Sequence, residues 1–184
     1  MKIEYKGKVT DEREKQQIWE ILCECDQEFY PPLSARNSSA QKNLKNDTAG
    51  EEDNVNGQPP TVYYDEMIRQ EFILAYADDG KVAGFMTFKK NYCCDALQEF
   101  GTSLYITTIC VKKSLRRHHV MSRLYDCMES TATAACGCPR ISTRTWSGNK
   151  AHMEGLRHRG YRILEVLKDD RGPGVDTIYY GFVS

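Results

Sequence analysis

The run Ile109-Cys110-Val111-Lys112-Lys113-Ser114-Leu115-Arg116-Arg117-His118-His119-Val120-Met121-Ser122-Arg123-Leu124 reads as an apolar β-branched strand, a short basic turn and the first turns of a helix. The first backbone N–H groups of a helix have no intrahelical partner, and the aligned peptide dipoles leave a partial positive charge there. A corner of this kind is a cradle for a pyrophosphate, which would sit against the backbone of His119, Val120, Met121 and Ser122. Arg116, Arg117 and His118 add attraction for a polyanion. Farther on, Trp146-Ser147-Gly148-Asn149-Lys150-Ala151-His152-Met153-Glu154-Gly155-Leu156-Arg157-His158-Arg159-Gly160-Tyr161 gives a strand end, an Asn suited to cap a helix, and a Gly to close it.

The two stretches, in this order, resemble the GNAT superfamily of acyl-CoA N-acyltransferases. The family signature is a Val at the strand end and then Arg or Gln followed by x-x-Gly-x-Gly/Ala. Val111 and Arg116 match it, while His119 and Met121 stand where the family keeps small residues, so their side chains must turn away from the cradle. The second family pattern, an Asn before a helix that ends in Gly and an aromatic residue, matches at Asn149, Gly160 and Tyr161. The resemblance covers residues 62–184 and, more loosely, the first helix. It implies an α/β fold with a central twisted, mostly antiparallel sheet flanked by helices. Two strands of that sheet splay to admit the pantetheine arm of acetyl-CoA, which would lie on the backbone of Ile109, Cys110 and Val111 and on the amide of Asn149. The implied activity is transfer of an acetyl group from acetyl-CoA to a primary amine by direct attack.

That reaction needs a base for the ammonium proton, donors for the developing oxyanion and an acid for the leaving thiolate. Leu156 occupies the position of the family's usual Tyr acid, and Tyr105-Ile106-Thr107-Thr108 holds no carboxylate where the family has a strand Glu. The remaining catalytic candidates are His152, whose imidazole suits proton transfer near neutral pH, and Tyr105 on the central strand; each competes with a plain packing role. Cys110 reads as a small apolar residue of a buried strand rather than a nucleophile. Two other functions stay open: an acyl-CoA-binding domain without turnover, and a nucleic-acid surface formed by Lys112, Lys113, Arg116, Arg117 and Arg123. Glu51, Glu52 and Asp53 could attract a cationic amine or simply be solvated.

Composition narrows these choices. Lys and Arg number 25 against 26 Asp and Glu, so the chain lacks the broad positive field of a general nucleic-acid binder. The opening Met1-Lys2-Ile3-Glu4-Tyr5-Lys6 has no apolar leader, and no apolar run is long enough to span a membrane, which predicts a cytoplasmic protein. The cysteines fall as Cys23-x-Cys25, Cys93-Cys94, Cys110, Cys127 and Cys136-x-Cys138, spacings that predict reduced thiols and no metal site. The sequons at Asn37 and Asn46 carry no meaning in such a compartment. Oligomeric state is left open, a homodimer included.

The elements that must position these groups follow from periodicity. Thr10 is placed to cap a first helix with Ile18, Trp19, Ile21, Leu22 and Cys25 on its buried face, ended by Pro31-Pro32. Residues 33–60 are polar and read as a mobile loop that buries no face. A short helix at Tyr63–Gln70 precedes a hairpin turning at Asp78-Asp79-Gly80, and Leu104–Val111 reads as a central strand. The helix after the basic turn carries Val120, Leu124, Cys127, Met128 and Thr131 on its apolar stripe and runs on toward Cys136. Arg140–Trp146 is a strand, Gly148–Arg159 a helix, and Tyr161–Leu167 and Val175–Val183 are the last strands, all in one domain, 1–184.

Overall fold

The structure, a computed structural model, describes residues 1–42, 44–45 and 57–184. Strand β1 (Lys2–Gly7) leads to α1 (Glu12–Cys25), and after α2 (Thr61–Met67) come β2 (Glu71–Tyr76), β3 (Val82–Tyr92) and β4 (Ser103–Val111). Helix α3 (Val120–Cys127) continues through a π-turn into α4 (Thr133–Cys136); β5 (Arg140–Trp146), α5 (Lys150–His158), β6 (Arg162–Leu167) and β7 (Thr177–Val183) complete the chain. The seven strands form one sheet in the order β1-β2-β3-β4-β5-β7-β6. Every neighbouring pair is antiparallel except β4 and β5. The mixed α/β sheet implied by the sequence is the one found.

Helices cover both faces. On one face Val120, Leu124, Tyr125 and Met128 of the α3 layer join Leu156 of α5 over Leu104, Ile106 and Ile141. On the other, Ile18, Ile21 and Leu22 of α1 and Tyr63 and Met67 of α2 pack on Phe72, Leu74 and Phe85. Burying a side chain such as Leu22 or Ile18 contributes about 2 kcal/mol, so both helices are fixed chiefly by their apolar stripes. Gly84 lets β3 lie close to the end of β4: a Cβ there would meet the Cys110 carbonyl oxygen at 2.8 Å, and that atom is backbone and cannot swing aside.

Local details correct several sequence expectations. Helix α1 is capped by Asp11, not Thr10: its carboxylate accepts from Arg13 N at 2.9 Å and Glu14 N at 3.0 Å. Helix α2 begins at Thr61 and stops at Met67, short of Gln70, whose amide turns inward to Ser39 and Glu66. The described part of 33–60 does bury side chains: Leu33, Arg36, Ser39 and Leu44 all lie inside. The remainder of that segment, with Glu51, Glu52 and Asp53, lies outside the described residues. At the end of α5, Gly160 has φ +84°. The Tyr161 N–H reaches Leu156 O at 3.0 Å and the Gly160 N–H reaches Arg157 O at 3.0 Å, the paired bonds of a left-handed helix stop.

Candidate active site

Strands β4 and β5 pair only through Leu104–Ile141, Tyr105–Ser142 and Ile106–Thr143, then part. Thr143 Oγ1 donates to Ile106 O at 3.2 Å and closes the crotch of the wedge. Beyond it the facing backbone edges of Thr107–Val111 and Arg144–Trp146 make no ladder with each other, so they are free to bond a ligand. A bulge helps to shape this wall. Thr87 of β3 faces Thr108 while Phe88 faces Ile106, which leaves Thr107 as the extra residue. A cavity of about 750 Å³ fills the wedge and opens on both layers, within the size range of ligand sites.

On the α3 side the basic turn forms one wall. Arg117 and His119 both adopt left-handed backbone, φ +64° and +57°. His119 is the residue that enters α3, and this conformation explains why the family keeps Gly there. The first intrahelical bond of α3 is Arg123 N to His119 O at 3.1 Å, so the N–H groups of Val120, Met121 and Ser122 have no helical acceptor. All three residues line the cavity, as do Ile109, Cys110, Val111, Arg116, Arg117, His119 and Asn149. His118 does not: it is exposed and outside the lining. Arg116 turns back on the protein, pairing with Glu28 at 2.9 Å and donating to Val111 O at 3.3 Å. Asn149 caps α5 through a long bond, His152 N to its Oδ1 at 3.4 Å.

His152 faces the cavity with its Nε2 bonded to the Tyr125 hydroxyl at 2.8 Å. Burial pushes its pKa from the ordinary 6.5 down to about 4, so the imidazole is neutral at neutral pH. Tyr105 is elsewhere. It is 1% exposed, stacks on Tyr92 at 4.2 Å and belongs to a separate cluster with Leu97 and Tyr179, outside the cavity lining. Cys110 is buried, and burial holds its thiol well above the ordinary range, which suits packing and not attack.

Two sets of lining residues escaped the sequence reading. Thr145 is 2% exposed, and its Oγ1 has no partner although it borders the cavity. A buried hydroxyl left unpaired costs about 1–3 kcal/mol; Oγ1 is closed off from the cavity in the free protein, so a pantetheine amide would reach it only after the side chain turns. Arg36, Arg144 and Arg171 line the side away from α3. Of these only Arg144 left a trace in sequence, as a charge inside the otherwise apolar and Thr-rich β5. Among the described residues no group of His, Cys, Asp or Glu is arranged to hold a metal ion.

Comparison with known proteins gives the family and agrees with the fold. The family profile described as Acetyltransferase (GNAT) family matches residues 16–161. No curated protein matches the sequence. The aminoglycoside 6'-N-acetyltransferase of Enterococcus faecium is similar over 100% of this chain and 97% of its own, at 16% identity and TM-score 0.67. A ribosomal-protein-alanine N-acetyltransferase from Brucella melitensis is similar over 100% of both chains, at 13% identity and TM-score 0.65. A Bacillus anthracis str. Ames protein described as a streptothricin acetyltransferase, in complex with acetyl coenzyme A, is similar over 66% of this chain and 68% of its own, at 23% identity and TM-score 0.53. At such identities these likenesses speak for the fold. The profile, in contrast, spans most of the sequence, from α1 through the α3 cradle to the Gly160-Tyr161 end of α5, and the chain belongs to the acetyltransferase (GNAT) family, whose members take acetyl-CoA as donor.

Proposed function

We propose that the chain is an N-acetyltransferase that moves the acetyl group of acetyl-CoA onto a primary amine by direct attack. The observation that carries this is the wedge between β4 and β5, which opens to the α3 N-terminus on one face and to the α1 layer on the other. A donor and an acceptor entering from opposite faces meet at its crotch. Bound acetyl-CoA supplies the activated thioester carbonyl. The residues present fit it: free N–H groups of Val120, Met121 and Ser122 for the pyrophosphate, Arg117 for charge, and the open strand edges, Thr145 Oγ1 and Asn149 for the arm.

His152 lines the cavity and is held from behind by the buried Tyr125, an uncharged pair. An imidazole with a pKa near 4 is too weak a base to strip an ammonium, so its part is to hold a hydrogen bond near the reacting sulfur, and most of the rate comes from positioning. A second reading, acyl-CoA binding without turnover, is favoured by one feature: Leu156 is buried where the family's Tyr acid stands, and among the described residues the one carboxylate lining the cavity, Glu28, is paired with Arg116. Among the described residues no helix is long and apolar enough to cross a membrane. A single cytoplasmic domain is part of the same proposal.

Mixing the protein with acetyl-CoA and a panel of primary amines, and following release of the CoA thiol, tests it. Amine-dependent release is expected, together with about 2.7 kcal/mol of added stability when acetyl-CoA stands at a hundred times its Kd. Stabilisation with no release for any amine leaves the binding-only reading, and the absence of both overturns the coenzyme site altogether.

A further inference from the structure

The side of the cavity away from α3 is cationic, and among the described residues no carboxylate pairs with its guanidiniums. Arg36 comes from the segment between α1 and α2, Arg144 from β5 just past its last residue paired with β4, and Arg171 from the β6–β7 connection. All three line the one cavity. Arg36 is 6% exposed and Arg171 3%.

Backbone groups brace them. Arg36 donates from Nε and Nη2 to Pro31 O at 3.0 and 2.7 Å. Arg171 donates to Tyr30 O and to Thr177 Oγ1. Arg144 reaches Gln41 O at 2.8 Å and the Tyr179 hydroxyl at 3.3 Å. Arg36 also lies over the Phe29 ring and Arg171 over the Trp146 ring, each 5.6 Å from the centroid.

None of the three guanidiniums makes an ion pair with a carboxylate among the described residues, although Asp26 and Asp170 lie near enough to act at a distance. Those two acids are engaged otherwise, Asp26 by Ser34 and Asp170 by Thr177. Burial, with the neighbouring guanidiniums adding to it, pulls Arg171 down to about 9. Burial, aided by Arg144, pulls Arg36 down to about 10, so both keep their charge at neutral pH. Three like charges gathered on one desolvated wall are unfavourable unless an anion regularly sits among them. The planar forks suit a bidentate oxyanion.

Resting on the acetyltransferase reading, we propose that this wall binds a carboxylate or phosphate carried by the acceptor, so that the substrate is an anionic primary amine and not a polycationic one. The same positive field disfavours the ammonium form of the bound acceptor and favours the neutral amine that attack requires, the proton leaving to solvent. That supplies by electrostatics what the described lining, whose carboxylate Glu28 is paired with Arg116, does not.

The test compares acceptors that differ only in the anion. Glycine, β-alanine, γ-aminobutyrate and ethanolamine phosphate are assayed beside glycinamide, β-alaninamide, ethanolamine and spermidine, with the carboxylate and phosphate arms identifying the oxyanion. At least one anionic amine should exceed its neutral counterpart in kcat/KM by on the order of 10- to 100-fold, and Arg36→Gln and Arg171→Gln should erase most of that ratio. Gln keeps an N–H for the Pro31 or Tyr30 carbonyl, which protects the fold.

A second readout does not need turnover. In a Trp19→Phe background, with CoA saturating, inorganic phosphate should change Trp146 fluorescence saturably, and Arg36→Gln should abolish the response. Saturating CoA removes the donor's own phosphates as an explanation. If neutral amines or spermidine are used as well as the anionic ones and phosphate leaves Trp146 unchanged, the anion site is wrong while the transferase reading stands. If phosphate binds but no amine releases CoA, the transferase reading fails and the anion site survives it.

Discussion

At the α3 end of the cavity the ligand-facing groups come from one short stretch, Arg117 and His119 to Ser122, whereas at the α1 end they come from Arg36, Arg144 and Arg171, far apart in the chain. The first end works through backbone. Its donors are amides that any sequence would supply, and its side chains mainly have to stay out of the way. The second end works through side chains that only the finished fold assembles, and their charge is present at neutral and acid pH. A coenzyme common to a family can be met by the first kind of site, while an acceptor that differs among members calls for the second.

Acid should break the α3 side first. His152 sits against Tyr125 in that layer with its pKa depressed from 6.5 to about 4. Between those values the unfolded chain binds a proton that the folded chain refuses, so stability falls as pH drops through that window. The contribution present above pH 6.5 is lost by pH 4 and amounts to roughly 1–3 kcal/mol. His152→Gln should therefore lose less stability than the parent between neutral pH and about pH 5, a difference read by urea melts at the two pH values. Equal pH dependence in both proteins would mean that the imidazole is solvated. The arginine wall has no such window, so phosphate binding there should not follow the His152 titration.

Thr145 offers a sharper separation because stability and binding should move in opposite directions. Its buried Oγ1 has no protein partner, so Thr145→Val keeps the shape, removes an unsatisfied polar group and should stabilise the free protein by about 1 kcal/mol. If the hydroxyl serves the coenzyme arm, acetyl-CoA affinity should fall by about 10-fold, while inorganic phosphate still perturbs Trp146. Thermal melts and calorimetry on one variant measure both. A loss of stability with no loss of affinity would make Thr145 a structural residue and detach it from the site.

The contrast between the two ends also explains what was legible in the sequence. Element order could be read because periodicity is local: Leu104–Val111 as a central strand, the long helix after the basic turn, and Gly160 as a helix stop all follow from neighbours a few positions away. The strand-turn-helix corner that leads into α3 was legible for the same reason. Tyr105 takes the packing role weighed for it beside catalysis, in the cluster with Leu97 and Tyr179, because which side of β4 a group faces depends on one-residue alternation. Arg36 and Arg171 gave no signal, since a lone Arg in a polar stretch ordinarily means a solvated loop. Its burial depends on contacts with Pro31 and Tyr30 that no local pattern encodes.

The smallest expected effect concerns the turn itself. His119 stands where the family signature has Gly, and it holds φ +57° with no side-chain capping bond. A left-handed backbone costs a non-glycine residue roughly 1–2 kcal/mol, while Gly adds up to about 1 kcal/mol of unfolded-chain entropy to lose. The two terms nearly cancel, so His119→Gly should change stability by less than about 1 kcal/mol, with gain the favoured sign. The exposed imidazole borders the cavity but makes no hydrogen bond in the structure, and removing it leaves the amides of Val120, Met121 and Ser122 in place. Acetyl-CoA affinity should hold or rise a few-fold by calorimetry. A large loss of affinity in a folded variant would mean that the α3 end, like the α1 end, binds through a side chain, and the division between backbone and side-chain recognition would fall.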